Sequence, residues 1–220
     1  MTTRKTLFTR ATAVALATGG VLGWQILNDS PSIAGPPDNP TVDLAPRTAR
    51  EAAQARSAGA AWLVTNQNAD GGWGAGGWGR GSATTQSDVA TTALATMALL
   101  RDDPALATHA RAFERGVAFV VKAIEESPEE GSLLRGPEGT QPQHKLGRNV
   151  DTHFASLLLG EVAGRVSPVL EERIMVAYDK VLTKVVSAQR ADGSFDQDGW
   201  APVLSSSIAA QGLYKALENG

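Results

Sequence analysis

The sequence predicts an all-α protein built from about three stacked helical hairpins, and three observations support that prediction. Short acidic-glycine turns recur at intervals close to sixty residues, at Asp70-Gly71, Glu130-Gly131 and Asp192-Gly193. A bulky apolar residue stands two positions after each glycine: Trp73, Leu133 and Phe195. An amphipathic segment precedes each turn and a more apolar segment follows it, which is typical of arrays that stack helical pairs.

The amphipathic segments predict the outer helix of each hairpin. Residues 167–189 begin with Ser167 and Pro168, residue types typical of an N-cap and a first helical position. Apolar residues then recur at helical spacing along one face of this segment, and charged residues occupy the other. Residues 104–126 repeat the pattern, with an apolar face formed by Phe113, Val117, Val120, Val121 and Ile124.

The apolar segments predict inner helices. Residues 88–100 and 152–160 are uncharged nearly all round, and a helix without a polar face must be buried on most sides. The last segment, 202–218, carries Leu204, Ile208, Leu213 and Leu217, and no polar capping helix follows it. Because terminal repeats need a cover, we expect exposed apolar surface at this end and, with it, self-association.

The turns themselves predict a structural device. Gly71 and Gly72 can adopt the left-handed conformations that end a helix. Trp73 and Phe195 then supply stiff rings that pack between neighbouring hairpins. The side-chain amides at the preceding helix ends are suited to bonding the free turn carbonyls; these belong to Gln67 and Gln189.

At these residues the chain resembles a known family. The stretches QNADGGW (67–73) and QRADGSF (189–195) are similar to the QW repeats of squalene and terpene cyclases and of protein prenyltransferases. The segment NVDTHFASLLL (149–159) is similar to the helix that follows such repeats. The resemblance implies an α/α-toroid domain over residues 48–220, with a degenerate middle repeat, EESPEEGSL. Full toroids carry more hairpins than three, so a partial toroid is expected.

The catalytic motifs that the resemblance would imply are missing from the sequence. There is no Asp-x-Asp-Asp run, which protonating cyclases use, and no cysteine for a prenyltransferase-type zinc site. We therefore expect a non-catalytic module that binds an apolar molecule, of isoprenoid or lipid type, or a protein partner. The alternative is a terpene cyclase or prenyltransferase-type enzyme that oligomerisation completes.

Three polar residues are the candidates for a catalytic role. Asp88 and Asp151 stand at the starts of two inner helices, and His153 follows two positions after Asp151. With His144 in the preceding loop, Asp151 and His153 have the residue types of an acid–base pair or a metal site. The alternative for both aspartates is helix capping. One acid and two histidines across a loop are a poor ligand set, so no metal or cofactor is expected.

The N-terminal residues indicate a targeting signal rather than part of the folded domain. Arg4, Lys5 and Arg10 precede an uncharged run at 11–27, and Ser32-Ile33-Ala34 offers a small-x-small cleavage site. Residues 1–34 therefore indicate an export signal, giving a periplasmic or extracellular protein, or a membrane anchor if uncleaved. Residues 35–47 have linker composition.

The net charge and the uncovered ends of the helical array limit which partners are expected. A net charge of −3 gives no basic footprint for nucleic acid. The expected partners are an apolar small molecule and, to cover the open ends, a second copy or another toroid-half protein. Membrane contact is expected only through the N-terminal segment.

Overall fold

The computed structural model describes residues 46–76, 86–195 and 198–219, and their regular structure is entirely helical, which confirms the all-α fold class. Within these ranges there are seven helices: α1 (Pro46–Thr65), α2 (Val89–Asp102), α3 (Ala110–Glu125), α4 (Gln141–Leu146), α5 (Val150–Val162), α6 (Pro168–Ala188) and α7 (Pro202–Asn219). The predicted export segment and nearly all of the predicted linker lie outside the described residues.

The helices lie in two layers. The central helix α5 packs against α2 on one side and α7 on the other, so α2, α5 and α7 form an inner row. Outside this row, α3 packs on α2, α6 packs on α5, and α1 packs on α2. Each of the outer helices α3 and α6 thus rests mainly on the inner helix that precedes it in the chain.

The inner position of α5 follows from its composition. Every residue from Val150 to Gly160 is buried, and in this helix only Glu161 is partly exposed. By contrast α3 buries a single face, whose members form one continuous core with α2, α5 and α6. The apolar side chains on all faces of α5 are therefore buried against the surrounding helices.

The structure differs from the sequence prediction in one helix boundary and in one additional helix. The predicted helix at 104–126 begins at Ala110, because Asp103 ends α2 and its carboxylate accepts the backbone N–H groups of Thr108 and His109. Those bonds hold residues 104–109 in a loop. The short helix α4 was not predicted. It begins at a capping box in which Thr140 and Gln143 satisfy each other's backbone N–H groups.

Among the helices of the described residues, none combines the length and the apolar character that a bilayer span requires.

Candidate functional site

Two turns have the same internal hydrogen bonds. In turn 1 (67–73) the amide of Gln67 donates to the carbonyl of Gly71 at 2.8 Å, and in turn 3 (189–195) Gln189 donates to Gly193 at 3.2 Å. The aspartate before each glycine accepts the backbone N–H two residues on, at 3.0 Å in both turns. Gly71 and Gly193 have positive φ, 93° and 85°, whereas Gly72 does not, so the left-handed conformation predicted for Gly72 is wrong. The similar sequences therefore fold into similar turns.

Turn 1 is covered by the outer helix that follows it. The second N–H of the Gln67 amide group reaches the carbonyl of Ala112 in α3 at 2.8 Å. Arg115, also in α3, donates to the carbonyls of Asn68 and Ala69 at 2.8 and 2.9 Å. The backbone polar groups of the turn are thus satisfied from the next hairpin.

Turn 2 (127–133) is covered in the same way by α6, although its sequence has diverged. Lys180 donates to the carbonyl of Ser127 at 2.8 Å, and Lys184 donates to that of Gly131 at 3.0 Å. The Lys184 side chain is only 1% exposed. Burial lowers the pKa of this ammonium group, and the nearby charge of Lys180 lowers it further. A basic side chain from the following outer helix therefore meets the carbonyls of both turns.

The ring that follows each glycine is buried. Trp73 is 3% exposed and packs among Ala60, Ala95, Leu99 and Ala112, on three different helices. Its indole N–H donates to the carbonyl of Leu63 at 2.9 Å. Phe195, 5% exposed, packs with residues of α6 and α7: Val185, Ala188, Ala209 and Leu213. Trp73 thus contacts three helices, and Phe195 contacts α6 and α7 in this apolar cluster.

Asp88 caps the start of α2. Its carboxylate accepts the backbone N–H and the hydroxyl of Thr91 and the backbone N–H of Ala75. The side chain is buried, and desolvation raises its pKa from the ordinary value, against the opposing effect of these hydrogen bonds. This geometry is that of an N-cap, one of the two roles considered for this residue.

Asp151 lies beside Asp88 but does not cap its own helix. Asn149 holds that position in α5, and the Asp151 carboxylate accepts the backbone N–H of Ala90 in α2 at 2.9 Å. Its second oxygen accepts the Gln143 amide at 2.7 Å. Desolvation, with a smaller contribution from the charge of Asp88, raises the pKa of Asp151 to about 6. Two buried carboxyl groups, those of Asp88 and of Asp151 from α5, therefore accept hydrogen bonds from the first turn of α2.

Asp151 forms part of the wall of a polar cavity of about 950 Å³. The charged and polar side chains of the cavity come mainly from α4 and the loops on either side of it, and they include Arg135, Glu138, Gln143, His144 and Arg148. Sequence reasoning missed Arg135, Gln143 and Arg148. The Thr140-x-x-Gln143 capping box is the signal that would have revealed α4 and, with it, one partner of Asp151.

His153 belongs to another part of the molecule. Two residues on from Asp151 along α5, it faces the opposite side of the helix. Its imidazole is 0% exposed, with Nδ1 3.3 Å from the hydroxyl of Ser205 in α7. The ring also meets the Phe195 ring edge-on, with centroids 5.3 Å apart. The structure therefore brings Asp88 and Asp151 together and places His153 elsewhere.

The metal hypothesis for His144, Asp151 and His153 has no geometric support. His144 and Asp151 both border the polar cavity, but His153 does not. Within the described ranges, no three acidic or histidine side chains are arranged to hold a metal ion.

The C-terminal groove, between turn 3 and α7, is the second open feature. It has a volume of about 620 Å³ and is lined chiefly by uncharged side chains, among them Gln189, Phe195, Val203, Leu213, Tyr214 and Leu217. Val203, Tyr214 and Leu217 are 79%, 68% and 80% exposed. Of the residues that the structure describes, none covers this face of α7, although α3 and α6 cover α2 and α5.

No family model, curated protein or solved structure matches the chain. The resemblance to QW repeats therefore rests on the two turn sequences, on the buried helix α2 after the first of them and on the segment 149–159. In the structure the two sequences form the same two hydrogen bonds. The glutamine side chain donates to the glycine carbonyl, and the aspartate carboxylate accepts the backbone N–H two residues on.

Proposed function

We propose that the chain is an exported QW-repeat helical module that binds an apolar partner and does not catalyse a reaction. The single observation that carries the proposal is the C-terminal groove, an uncharged surface on α7 that the described residues leave open. Monomeric proteins seldom leave such surfaces exposed without a binding role. The ligand class is an isoprenoid or lipid-like molecule or an apolar protein segment.

The architecture supports the family part of the proposal. An inner row of α2, α5 and α7 with α1, α3 and α6 outside it is the layering expected of a partial α/α-toroid. The separation of His153 from Asp88 and Asp151 supports a module without catalysis. Export rests on the basic residues before the apolar run at 11–27, which lies outside the described residues.

The test is binding of an apolar fluorescent probe, anilinonaphthalene sulfonate, together with native mass spectrometry of the purified protein for a retained lipid. The probe is expected to bind the natural chain and to lose most of its affinity in Val203→Glu, because that change places a charge in the groove. Val176→Glu is the matched control, since Val176 is 72% exposed on α6 and lies outside the groove. Equal probe binding by both variants would contradict the proposal.

A second candidate function is acid–base catalysis on an isoprenoid, of the terpene cyclase or prenyltransferase type. One observation favours it: a carboxyl group with a pKa of about 6, Asp151, borders a cavity of about 950 Å³. Such a group exchanges its proton near neutral pH. The test is incubation with farnesyl diphosphate or squalene and product analysis by gas chromatography. Catalysis predicts a product that Asp151→Asn abolishes, and no product from either substrate counts against it.

A further inference from the structure

The described turns differ in whether a helix covers them, and that difference indicates what the groove binds. A Cβ atom added to Gly71 in turn 1 would lie 2.7 Å from the carbonyl oxygen of Arg115, because α3 presses against the turn. A Cβ atom added to Gly193 in turn 3 would have no neighbour within 4 Å. Turn 3 therefore has the fold of turn 1 without its covering helix.

The polar groups that bind α3 at turn 1 are present and open at turn 3. Gln67 uses its second amide N–H on Ala112 of α3, whereas Gln189 is exposed and donates only to Gly193 among the described residues. Arg115 donates to the carbonyls of Asn68 and Ala69. No described side chain donates to the equivalent carbonyls, those of Arg190 and Ala191. Turn 3 thus offers one donor and two acceptors in the arrangement that a helix like α3 satisfies.

The C-terminal groove corresponds in position to the surfaces that α3 and α6 cover on the other two inner helices. In this chain α3 packs on α2 next to turn 1, and α6 packs on α5 next to turn 2. The C-terminal groove lies on α7 next to turn 3, which is the corresponding position. Both helices that occupy this position bring an apolar face and at least one basic side chain to the turn.

We infer that the C-terminal groove is a docking site for an amphipathic helix of a partner protein, with a broad apolar face and a basic residue at its edge. The apolar face rests on α7, and the basic side chain donates to the carbonyls of Arg190 and Ala191. The Gln189 amide donates to a carbonyl in the first turns of that helix. This inference rests on the proposed binding function and names the partner class for it.

The first helix of a second copy does not fit this description. Counting back from the turn glycines, Phe113, Val117, Val120 and Ile124 of α3 align with Ala53, Ser57, Ala60 and Val64 of α1. Three of these four α1 side chains are small, so they would leave a groove of about 620 Å³ largely empty. A helix with larger apolar side chains, from another protein, is therefore the better occupant.

The test uses the full chain and a labelled synthetic peptide with the sequence of residues 108–126, the helix that covers turn 1. Fluorescence anisotropy is expected to detect binding that Val203→Glu weakens at least about ten-fold, because a charge enters the apolar contact. Gln189→Ala is expected to weaken it about five-fold through one lost hydrogen bond. The Val176→Glu control should bind the peptide as the natural chain does.

A second peptide carrying Arg115→Gln isolates the basic contact and is expected to bind more weakly than the first. Peptide affinity that Val203→Glu leaves unchanged would overturn the inference. So would a protein that binds anilinonaphthalene sulfonate in the groove but not the peptide, and in that case the proposed function stands. If neither probe binds, the proposed function itself fails. Self-association lost in Val203→Glu would identify a second copy as the occupant and also overturn the inference.

Discussion

At the scale of single residues, the environment of Asp151 determines what its carboxyl group does. The sequence placed this residue correctly near the start of an inner helix, but capping of its own helix was only one alternative. The structure assigns its oxygens to Ala90 of α2 and to Gln143 of α4. Neither contact follows from helical spacing along α5, because both partners come from other elements. Burial by those elements is also what raises the pKa to about 6.

The pKa of Asp151 predicts a pH dependence of stability. A folded-state pKa of about 6, above the ordinary 3.8, means that the folded protein holds this proton more tightly than the unfolded chain. The resulting stabilisation is complete below about pH 4 and is lost as pH rises to about 6, by about 3 kcal/mol. Urea denaturation from pH 4 to pH 7 measures the loss.

The variant Asp151→Asn provides the comparison, because Asn retains an acceptor for Ala90 but does not titrate. Because part of the effect lies below pH 4, its free energy of unfolding should fall about 2 kcal/mol less over this range than that of the natural chain. The raised pKa of Asp88 acts in the same direction and is common to both proteins. Identical pH profiles for the two proteins would show that Asp151 titrates at its ordinary pKa.

At the scale of elements, helices with a regular apolar pattern could be predicted from the sequence, whereas the irregular segments that connect them could not. The segments at 152–160 and 167–189 correspond to α5 and α6 within a few residues, because their composition and spacing admit one structure. The start of α3 was wrong by six residues, since a side-chain contact of Asp103 decides it. The polar cavity could not be predicted, because its wall combines loops and helices whose proximity depends on tertiary packing.

Alanine substitution of the glycines in turns 1 and 3 should destabilise the protein to different extents. Gly193→Ala should cost about 1–2 kcal/mol, since only the positive φ is unfavourable for alanine there. Gly71→Ala has the same backbone strain and, in addition, a contact with the Arg115 backbone, so it should cost at least about 3 kcal/mol. Urea denaturation of both variants measures the difference. Equal costs would mean that α3 does not press on turn 1.

At the scale of the whole molecule, α3 and α6 pack on α2 and α5, whereas no described helix packs in the corresponding position on α7. Predictions from sequence identified this end through Leu204 and Leu217, which are 52% and 80% exposed. Ile208, on the same predicted face, is instead buried in the core, and Val203 and Tyr214 were not anticipated. The turn 3 groups that the proposed partner helix would contact became evident only by comparison with turn 1 in three dimensions.

The most direct test of the account is hydrogen–deuterium exchange of the purified protein with and without saturating anilinonaphthalene sulfonate. Binding in the C-terminal groove predicts slower exchange of the amides in α7 and turn 3, because the bound probe opposes opening of that end. The amides of α2 and turn 1, which α3 already covers, should be unchanged. Slower exchange in α4 and the loops of the polar cavity, with α7 unchanged, would contradict the claim that α7 carries the binding surface.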